Sequence, residues 1–252
     1  MRKIVLITGG SGKFGRVLVR HFLAAGDTVV TTCRSDASLA SLQHEHEGLP
    51  PGRFHVIQVD LTRPDQAEYL VDSLKERGLA PTCLINNARS VEYLANGEDG
   101  RVSRDNFMGE FLMDVVVPYE LTMALVGCHG SAVQRVVNIG SMYGLVAANP
   151  SLYVDPIRQS PLQYGVAKAA LVHLTKELSV RLASRVAVNC VAYGGVEGRV
   201  DEAFKARYGK LCPAGRMLRE DEIPGPVAWL LSDACSGMTG QTLAVDGGWS
   251  VW

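Results

Sequence analysis

Tyr164 and Lys168, four residues apart, carry the clearest chemical signal in the sequence. On a helix, side chains at this spacing share a face, so the phenol and the ammonium can converge on one point. A free tyrosine, with a pKa of about 10, is a poor base at neutral pH, and a neighbouring cation stabilises its phenolate form. The pair therefore predicts proton transfer at a substrate oxygen, although the same spacing also arises in helices by chance.

The stretch TGGSGKFG, residues 8–15, fits parts of two phosphate-binding patterns. A P-loop needs a glycine where Ile7 stands and a hydroxyl residue where Phe14 follows Lys13, so that pattern fails. The G-x-G-x-x-G pattern is complete, with a strand-like run before it and a helix-like run after it. Such a turn lets the pyrophosphate of a dinucleotide approach the amino end of the helix. This context favours a dinucleotide site.

The residue at the end of the second strand bears on which dinucleotide binds. NAD-selective sites place Asp or Glu there, about 20 residues after the glycines. This sequence has Arg34 instead, with Asp27 before the strand and Asp36 beyond the arginine. A guanidinium suits a 2′-phosphate, and Lys13 adds positive charge nearby. NADP is therefore the expected cofactor, with NAD possible; the alternative is that Arg34 is a solvated loop residue.

Short β-branched runs alternate with longer amphipathic segments along the whole chain. This alternation predicts an α/β fold: a single-domain, Rossmann-like, doubly wound parallel sheet of about seven strands with helices on both faces, spanning residues 1–252. The predicted strands are 3–8, 27–32, 53–59, 81–87, 135–141, 185–192 and 241–247. The predicted helices are 15–26, 63–78, 104–127, 162–184 and 220–233.

Composition excludes several classes of protein. The 252 residues are 47% hydrophobic and 20% charged with a net charge of −1, so we expect neither a nucleic-acid nor a membrane partner. The six scattered cysteines indicate free thiols, and the initial apolar run is too short for a signal peptide or membrane span. A cytoplasmic protein is expected. In HEHEG, residues 44–48, two histidines could bind metal, but a solvated helix end is favoured and no metal is expected.

Several motifs recur in one order along the chain. They are the glycine turn, Asn86-Asn87-Ala88 after the fourth strand, Ser141 after the fifth, the Tyr164/Lys168 pair, and the closing Asp246-Gly247-Gly248. Together they resemble the short-chain dehydrogenase/reductase family over essentially the whole chain. Within the family, the sequence resembles 3-oxoacyl-carrier-protein-reductase-like members and, faintly, bacterial oxidoreductases of surface-sugar biosynthesis.

This resemblance implies hydride transfer between a nicotinamide and a carbonyl or alcohol carbon. Tyr164 would exchange the proton on the substrate oxygen, Lys168 would stabilise its phenolate and hold the nicotinamide ribose, and Ser141 would hydrogen-bond the substrate oxygen. Asp60 would touch the adenine, Asn86 and Ala88 would line a ribose, and the backbone of Val196 would hold the carboxamide. The full set of implied cofactor-binding residues is Gly9, Ser11, Gly12, Lys13, Phe14, Arg34, Asp60, Leu61, Asn87, Ala88, Tyr164, Lys168, Gly194 and Val196.

Four positions depart from the family pattern. Lys13 and Arg89 replace glycines, and Tyr193 replaces a proline. Asp114, counted back from Pro118, falls where the family carries an asparagine that supports a proton-relay water. An aspartate could serve the relay and would add negative charge near the catalytic lysine, or the alignment could be displaced by one residue.

Three features bear on the substrate. Arg89 could contact an anionic group, or it could be a surface or cofactor contact. The segment between Ser141 and the catalytic tyrosine is long and carries Tyr143 and Tyr153, which we expect to contact substrate. Residues 197–212 are expected to form a substrate lid, with a plain surface helix as the alternative.

A polar or anionic sugar derivative is the favoured small-molecule substrate. A 3-oxoacyl thioester is the main rival. A catalytically silent dinucleotide-binding scaffold and a sugar-nucleotide epimerase or dehydratase are further alternatives. Family members usually pair through long central helices, so a homodimer or homotetramer is expected.

Overall fold

Seven parallel strands form the centre of the computed structural model, which describes residues 2–198 and 200–251. Their order is β3-β2-β1-β4-β5-β6-β7. All seven predicted strands are present, each within or one residue beyond its predicted range. Their bounds are β1 Ile4–Ile7, β2 Thr28–Cys33, β3 Phe54–Gln58, β4 Cys83–Asn86, β5 Arg135–Ser141, β6 Ala187–Tyr193 and β7 Thr242–Val245.

Helices cover both faces of the sheet, which explains why the strands are continuous apolar runs. The helices are α1 Lys13–Ala24, α2 Asp36–Glu45, α3 Gln66–Glu76, α4 Arg104–Phe111, α5 Val117–Gly127, α6 Pro156–Gln159, α7 Leu162–Arg181, α8 Glu202–Leu211 and α9 Pro224–Leu230. Successive side chains of β1 point to opposite faces: Leu6 packs with α3, α5 and α7, whereas Val5 and Ile7 pack with α1 and α9. The predicted doubly wound α/β fold is confirmed.

The long helix predicted over residues 104–127 is interrupted by a π-turn, Leu112–Val116, between α4 and α5. Pro118 supplies a physical reason. Its nitrogen carries no hydrogen, so it cannot donate to the carbonyl of Asp114 four residues earlier. The altered turn places Asp114 in a buried position facing the centre of the protein.

Helix α2 was predicted only at its end, where HEHEG was assigned to a solvated helix terminus. Ser35 caps it, because its side chain accepts a hydrogen bond from the backbone N–H of Ser38. His44 lies at the surface beside Glu47, in agreement with that assignment. Among the described helices, none is both long and apolar enough to cross a membrane.

The order of the strands reverses direction between β1 and β4, which are neighbours in the sheet. The chain leaves β1 toward α1 and leaves β4 toward residues 87–89, so two loops diverge above this pair of strands. In open α/β sheets, ligands bind in the crevice that such a divergence creates. The functional residues are therefore expected at the carboxyl edge of β1 and β4.

Candidate active site

A cavity of about 800 Å³ lies at this carboxyl edge. Its volume is within the range of about 300–1,000 Å³ that is usual for small-molecule sites. Among the residues proposed from sequence, those that line it are Gly9, Ser11, Gly12, Lys13, Phe14, Arg34, Asp60, Leu61, Asn87, Ala88, Arg89, Ser141, Tyr143, Tyr153, Tyr164, Lys168, Gly194 and Val196. Asp114 and Asn86 lie outside its lining.

The glycine turn leaves no room for a Cβ atom at Gly9 or Gly15. A Cβ on Gly15 would lie 2.2 Å from the carbonyl oxygen of Gly9, and one on Gly9, at φ +70°, would lie 2.8 Å from Ala88 Cα. Gly12 caps α1 without a side-chain hydrogen bond. The first turn of α1 therefore offers backbone N–H groups to the cavity, an arrangement that fits the pyrophosphate of a dinucleotide.

Thr8 joins the two loops that diverge above β1 and β4. Its hydroxyl accepts the backbone N–H groups of Asn87 and Ala88, each at 2.9 Å. The side chain of Asn87 in turn donates to the carbonyl of Thr8 at 2.8 Å. These bonds fix the glycine turn against residues 87–88. Thr8 was not among the residues proposed from sequence.

Asn86 does not occupy the place expected from sequence. Its side chain was expected to line a ribose, but it donates to Asn138 Oδ1 at 2.8 Å and to Thr122 Oγ1 at 3.3 Å within the interior. Asn86 is the last residue of β4 and pairs in register with Asn138 of β5. Because side chains alternate along a strand, this residue points between the sheet and α5.

Arg34 forms an ion pair with Glu92 at 2.5 Å across the mouth of the cavity. The hydrogen bond from Arg34, followed by its positive charge, lowers the pKa of Glu92. Nearby, burial alone would raise the pKa of Asp60, but hydrogen bonds from Thr62 and the charges of Arg63 and Arg34 together hold it below its ordinary value. The half of the cavity beside the ends of β2 and β3 thus presents the guanidinium of Arg34 and the ionised carboxylate of Asp60.

Lys13 reaches across the cavity mouth from the first turn of α1. Its Nζ donates to the carbonyl of Val196 at 3.3 Å and lies 3.7 Å from Glu220. Lys13, at a position where a glycine is expected, therefore places an ammonium group between the glycine turn and the loop after β6.

Lys168 lies at the other half of the cavity and is almost fully buried. Its Nζ donates to Asp114 Oδ1 and to the carbonyl of Ile139, each at 2.9 Å, and lies 5.7 Å from the ring centre of Tyr164. Burial alone would lower the pKa of Lys168, but the charges of Asp114 and Tyr164 hold it above its ordinary value. Lys168 therefore remains a cation at neutral pH. The expected proximity of Asp114 and Lys168 is confirmed.

Ser141 ends β5 beside this lysine. Its Oγ accepts the N–H of Tyr143 at 3.2 Å. The following turn packs directly on α7: a Cβ on Gly144 would lie 2.8 Å from the backbone carbonyl of Lys168. Strand β5 and helix α7 thus bring serine, tyrosine and lysine to one part of the cavity.

Aromatic side chains line the neighbouring part of the cavity. The hydroxyls of Tyr143 and Tyr153 are 2.7 Å apart, and Phe204 of α8 packs edge-on against Tyr153. Arg89, which is exposed, stacks its guanidinium 4.5 Å from the ring centre of Tyr164. The segments predicted to contact substrate therefore meet next to the serine, tyrosine and lysine.

Within the proposed lid, 197–212, residue 199 lies outside the described residues. Tyr208 of α8 joins this segment to the loop after β6, because its hydroxyl accepts the N–H of Gly195 at 2.9 Å. Tyr193, the departure from proline, packs edge-on against Phe14 and donates to the carbonyl of Ile223. No motif pointed to Tyr208 as the link between α8 and this loop.

Comparisons with known proteins agree with this geometry. The model of a family described as enoyl-(acyl carrier protein) reductase matches residues 13–250. A 3-oxoacyl-[acyl-carrier-protein] reductase from Thermotoga maritima is 31% identical, over 98% of this chain and 97% of its own length. An uncharacterised short-chain type dehydrogenase/reductase from Sinorhizobium fredii is 32% identical over 98% of this chain. This match covers 43% of the length of that relative. Post-translational flagellin modification protein A from Campylobacter coli is 26% identical over 99% of this chain and 98% of its own.

Two solved structures share the fold over nearly the whole chain. A short-chain dehydrogenase from Leptospira borgpetersenii with bound NAD+ has a TM-score of 0.84 and 27% identity, covering 99% of this chain and 93% of the other. A blue fluorescent protein from a metagenomic library, in complex with NADPH, has a TM-score of 0.83 and 26% identity, covering 98% of both chains.

Proposed function

Because this chain belongs to the short-chain dehydrogenase/reductase family, whose members act on CH–OH and C=O groups with NAD(P), we propose that it is an NADP-preferring reductase or dehydrogenase with Tyr164 as its general acid and base. The observation that carries this proposal is the convergence of Ser141, Tyr164 and Lys168 beside one cavity. The nicotinamide, when bound, supplies or accepts the hydride.

The three side chains have separate roles in the proposed reaction. Tyr164 donates a proton to the carbonyl oxygen during reduction and removes it during oxidation. Lys168 stabilises the resulting phenolate with its buried positive charge, which Asp114 holds in place. Ser141 donates a hydrogen bond to the substrate oxygen as negative charge develops there.

The preference for NADP rests on Arg34. Its guanidinium lies at the cavity mouth, where the second strand ends, and can bind the 2′-phosphate of the adenosine ribose. Glu92 engages the same guanidinium, so a 2′-phosphate must replace this carboxylate. The exposed position of both side chains keeps the cost of that exchange small.

The substrate region favours a ring-shaped or aromatic molecule with a polar or anionic group. Tyr143, Tyr153 and Phe204 offer flat surfaces and two hydroxyls, and Arg89 offers a cation at the entrance. A sugar derivative, phosphorylated or nucleotide-linked, fits this combination. The acyl-carrier-protein reductase relative supports a 3-oxoacyl thioester as the alternative.

We also propose that the protein forms a homodimer or homotetramer through α4, α5 and α7. Large apolar side chains on these helices are exposed, among them Met108, Phe111, Tyr119 and Val166. Burial of these side chains against a second copy would remove apolar surface from water. Light scattering of the purified protein measures this directly.

A matched pair of tyrosine variants tests the proposed reaction. We expect the wild type to oxidise NADPH with at least one carbonyl compound from a panel of sugar phosphates, nucleotide-linked sugars and 3-oxoacyl thioesters. Tyr164→Phe should lower kcat/KM by about 10²–10⁴-fold, the usual contribution of a general acid, without loss of NADPH binding. Tyr69→Phe, at an exposed tyrosine of α3, is the control. Turnover that survives in Tyr164→Phe would contradict the assignment. Binding of NADPH by the wild type without turnover of any panel member would favour a catalytically silent dinucleotide-binding scaffold.

A further inference from the structure

Lys13, the first residue of α1, connects the glycine turn to the opposite side of the cavity mouth. Its Nζ donates to the carbonyl of Val196 at 3.3 Å and lies 3.7 Å from Glu220 Oε1. The side chain of Lys13 is 18% exposed, so its ammonium is screened less by water and salt than that of a surface lysine. The side chain thus holds together two segments that are far from α1 in sequence.

The loop after β6, residues 194–198, is also held from its other side. Leu218 donates to the carbonyl of Gly195 at 2.8 Å and accepts the N–H of Glu197 at 2.9 Å. These backbone bonds fix the loop to the carboxy-terminal part of the chain. Lys13 adds a bond from the loop to the glycine turn, where the pyrophosphate of a dinucleotide is proposed to lie.

Two of the four departures from the family pattern meet at this junction. Phe14, next to Lys13, packs edge-on against Tyr193 at the end of β6. A glycine at position 13 could not donate to Val196, and a proline at position 193 would offer Phe14 no aromatic ring. Gly198 allows the same close approach, because a Cβ there would lie 3.0 Å from Lys13 Nζ. The two sides of the junction are therefore matched to each other.

The ammonium of Lys13 points away from the end of β2, where Arg34 stands. In the sheet, four strand intervals separate β2 from β6, because β1, β4 and β5 lie between them. Neighbouring strands are about 4.8 Å apart, so the ends of β2 and β6 lie roughly 19 Å apart. An ammonium that contacts Val196 therefore lies on the nicotinamide side of the cavity, away from the position expected for a 2′-phosphate.

We propose that Lys13 fastens the loop after β6 to the glycine turn across the cavity, and so limits the rate at which NADPH or NADH leaves the site. This inference rests on the proposed function. Lys13 is a positioning residue that acts through Val196, whose backbone is expected to hold the carboxamide of the nicotinamide. Glu220 orients the ammonium toward this loop. Because the bond between Lys13 and Val196 joins the two segments that enclose the site, it must break before a dinucleotide is released.

The first test uses the free protein, without dinucleotide or substrate. Hydrogen exchange measured by mass spectrometry should be faster at the backbone amides of residues 194–198 in Lys13→Met than in the wild type, because one bond that holds the loop is lost. Lys13→Arg keeps a cationic donor and should restore slow exchange. Lys75→Met, at an exposed lysine of α3, is the matched control and should exchange as the wild type does. Unchanged exchange in Lys13→Met would overturn the proposal.

The second test measures dissociation of the two dinucleotides by stopped-flow fluorescence. Lys13→Met should raise the dissociation rate constants of NADPH and NADH alike by about tenfold, as expected when a hydrogen bond from a charged group is lost. Lys13→Arg should stay near the wild type, and Lys75→Met should match it. An effect confined to NADPH would overturn the proposal, because Lys13 would then act on the 2′-phosphate.

A double-mutant cycle isolates the contribution of Glu220. Glu220→Gln alone should raise both dissociation rate constants by no more than about fivefold, because this ion pair is partly exposed. In the Lys13→Met background it should have no further effect, since the ammonium that it contacts is absent. Equal effects in both backgrounds would overturn the role of Glu220. Binding of neither dinucleotide by the wild type would instead refute the proposed function, and hydrogen exchange of the free protein would then decide whether Lys13 fastens the loop.

Discussion

At the scale of single residues, the proposed preference for NADP depends on one pair of exposed charges. Arg34 and Glu92 form an ion pair at the cavity mouth, and a 2′-phosphate would compete with the carboxylate for the same guanidinium. The two residues therefore have opposite effects on the affinity for NADPH. The affinity for NADH, which lacks that phosphate, should change little when either residue is replaced.

This opposition predicts two opposite shifts in affinity. Arg34→Ala should weaken NADPH binding by about 10–100-fold, since hydrogen bonds to charged groups contribute about 1.5–3 kcal/mol. Glu92→Gln should strengthen it by up to about fivefold, because an exposed ion pair is worth about 1 kcal/mol or less. Fluorescence titrations with NADPH and NADH measure both. Equal losses for the two dinucleotides in Arg34→Ala would contradict the role of this arginine.

The buried carboxyl group of Glu110, in α4, should make the stability of the folded protein depend on pH. Folding raises its pKa from 4.5 to about 7, so its proton stabilises the folded state fully below 4.5 and this stabilisation is lost as pH rises through about 7. Glu110→Gln resembles the protonated form at every pH. As pH rises through this window, Glu110→Gln should therefore become more stable relative to the wild type. Its melting temperature should exceed that of the wild type, and the difference in the free energy of unfolding should reach at most about 3 kcal/mol. Melting curves at pH values on both sides of the window check this, with Glu76→Gln, at an exposed glutamate of α3, as the control. A pH-independent difference would contradict the prediction.

The sequence predicted the residues that belong to short motifs better than those that act through tertiary contacts. Tyr164, Lys168 and the glycine turn have fixed spacings, and the cavity brings them together as expected. Asn86 was misplaced, because only the register of β4 with β5 shows that it faces inward. Glu110 and Glu92 belong to no motif, so nothing in the sequence pointed to them.

At the scale of elements, the approach of α1 to the loop after β1 decides whether the pyrophosphate can reach the helix. Gly15 is the contact point, since any Cβ there would meet the carbonyl oxygen of Gly9 at 2.2 Å. This contact joins two backbones, so a side chain cannot avoid it by rotating. The helix would have to move away from the cavity.

A pair of glycine substitutions tests this close approach. Gly15→Ala should weaken NADPH binding at least tenfold and lower the melting temperature, because α1 and the glycine turn must separate. Gly225→Ala, in α9, meets no atom within 4 Å and should bind NADPH normally, with a stability gain of at most about 1 kcal/mol from helix propensity. Fluorescence titration and thermal melting measure both changes. Normal binding by Gly15→Ala would contradict the proposed cofactor position.

Strands and helices could be predicted from sequence where their hydrophobic pattern was strong. Irregular helical turns and weakly patterned helices could not. All seven strands were found, because buried parallel strands are continuous apolar runs. The π-turn at 112–116 was missed, although Pro118 gave the signal that a backbone donor is lost. Helix α2 has only Leu42 buried, so its apolar pattern is too weak to mark the whole helix.

At the scale of the whole molecule, the cavity joins the two halves of the sheet. The glycine turn, Arg34 and Asp60 follow β1, β2 and β3, whereas Ser141 and Val196 follow β5 and β6. A bound dinucleotide would touch both halves at once. Two continuous hydrophobic cores, one on each face, already connect strands of both halves.

We therefore expect residues 1–252 to unfold as one unit that NADPH stabilises. At a concentration of about 100 times its Kd, NADPH should add about 2.7 kcal/mol to the free energy of unfolding, which corresponds to a rise of about 5–10 °C in melting temperature for a domain of this size. The transition should remain single, because the ligand binds residues from both halves and stabilises neither alone. Gly15→Ala, with its impaired binding, should show little rise at the same concentration. Calorimetry with and without NADPH measures this, and two transitions of which NADPH shifts only one would show that the halves are separate domains.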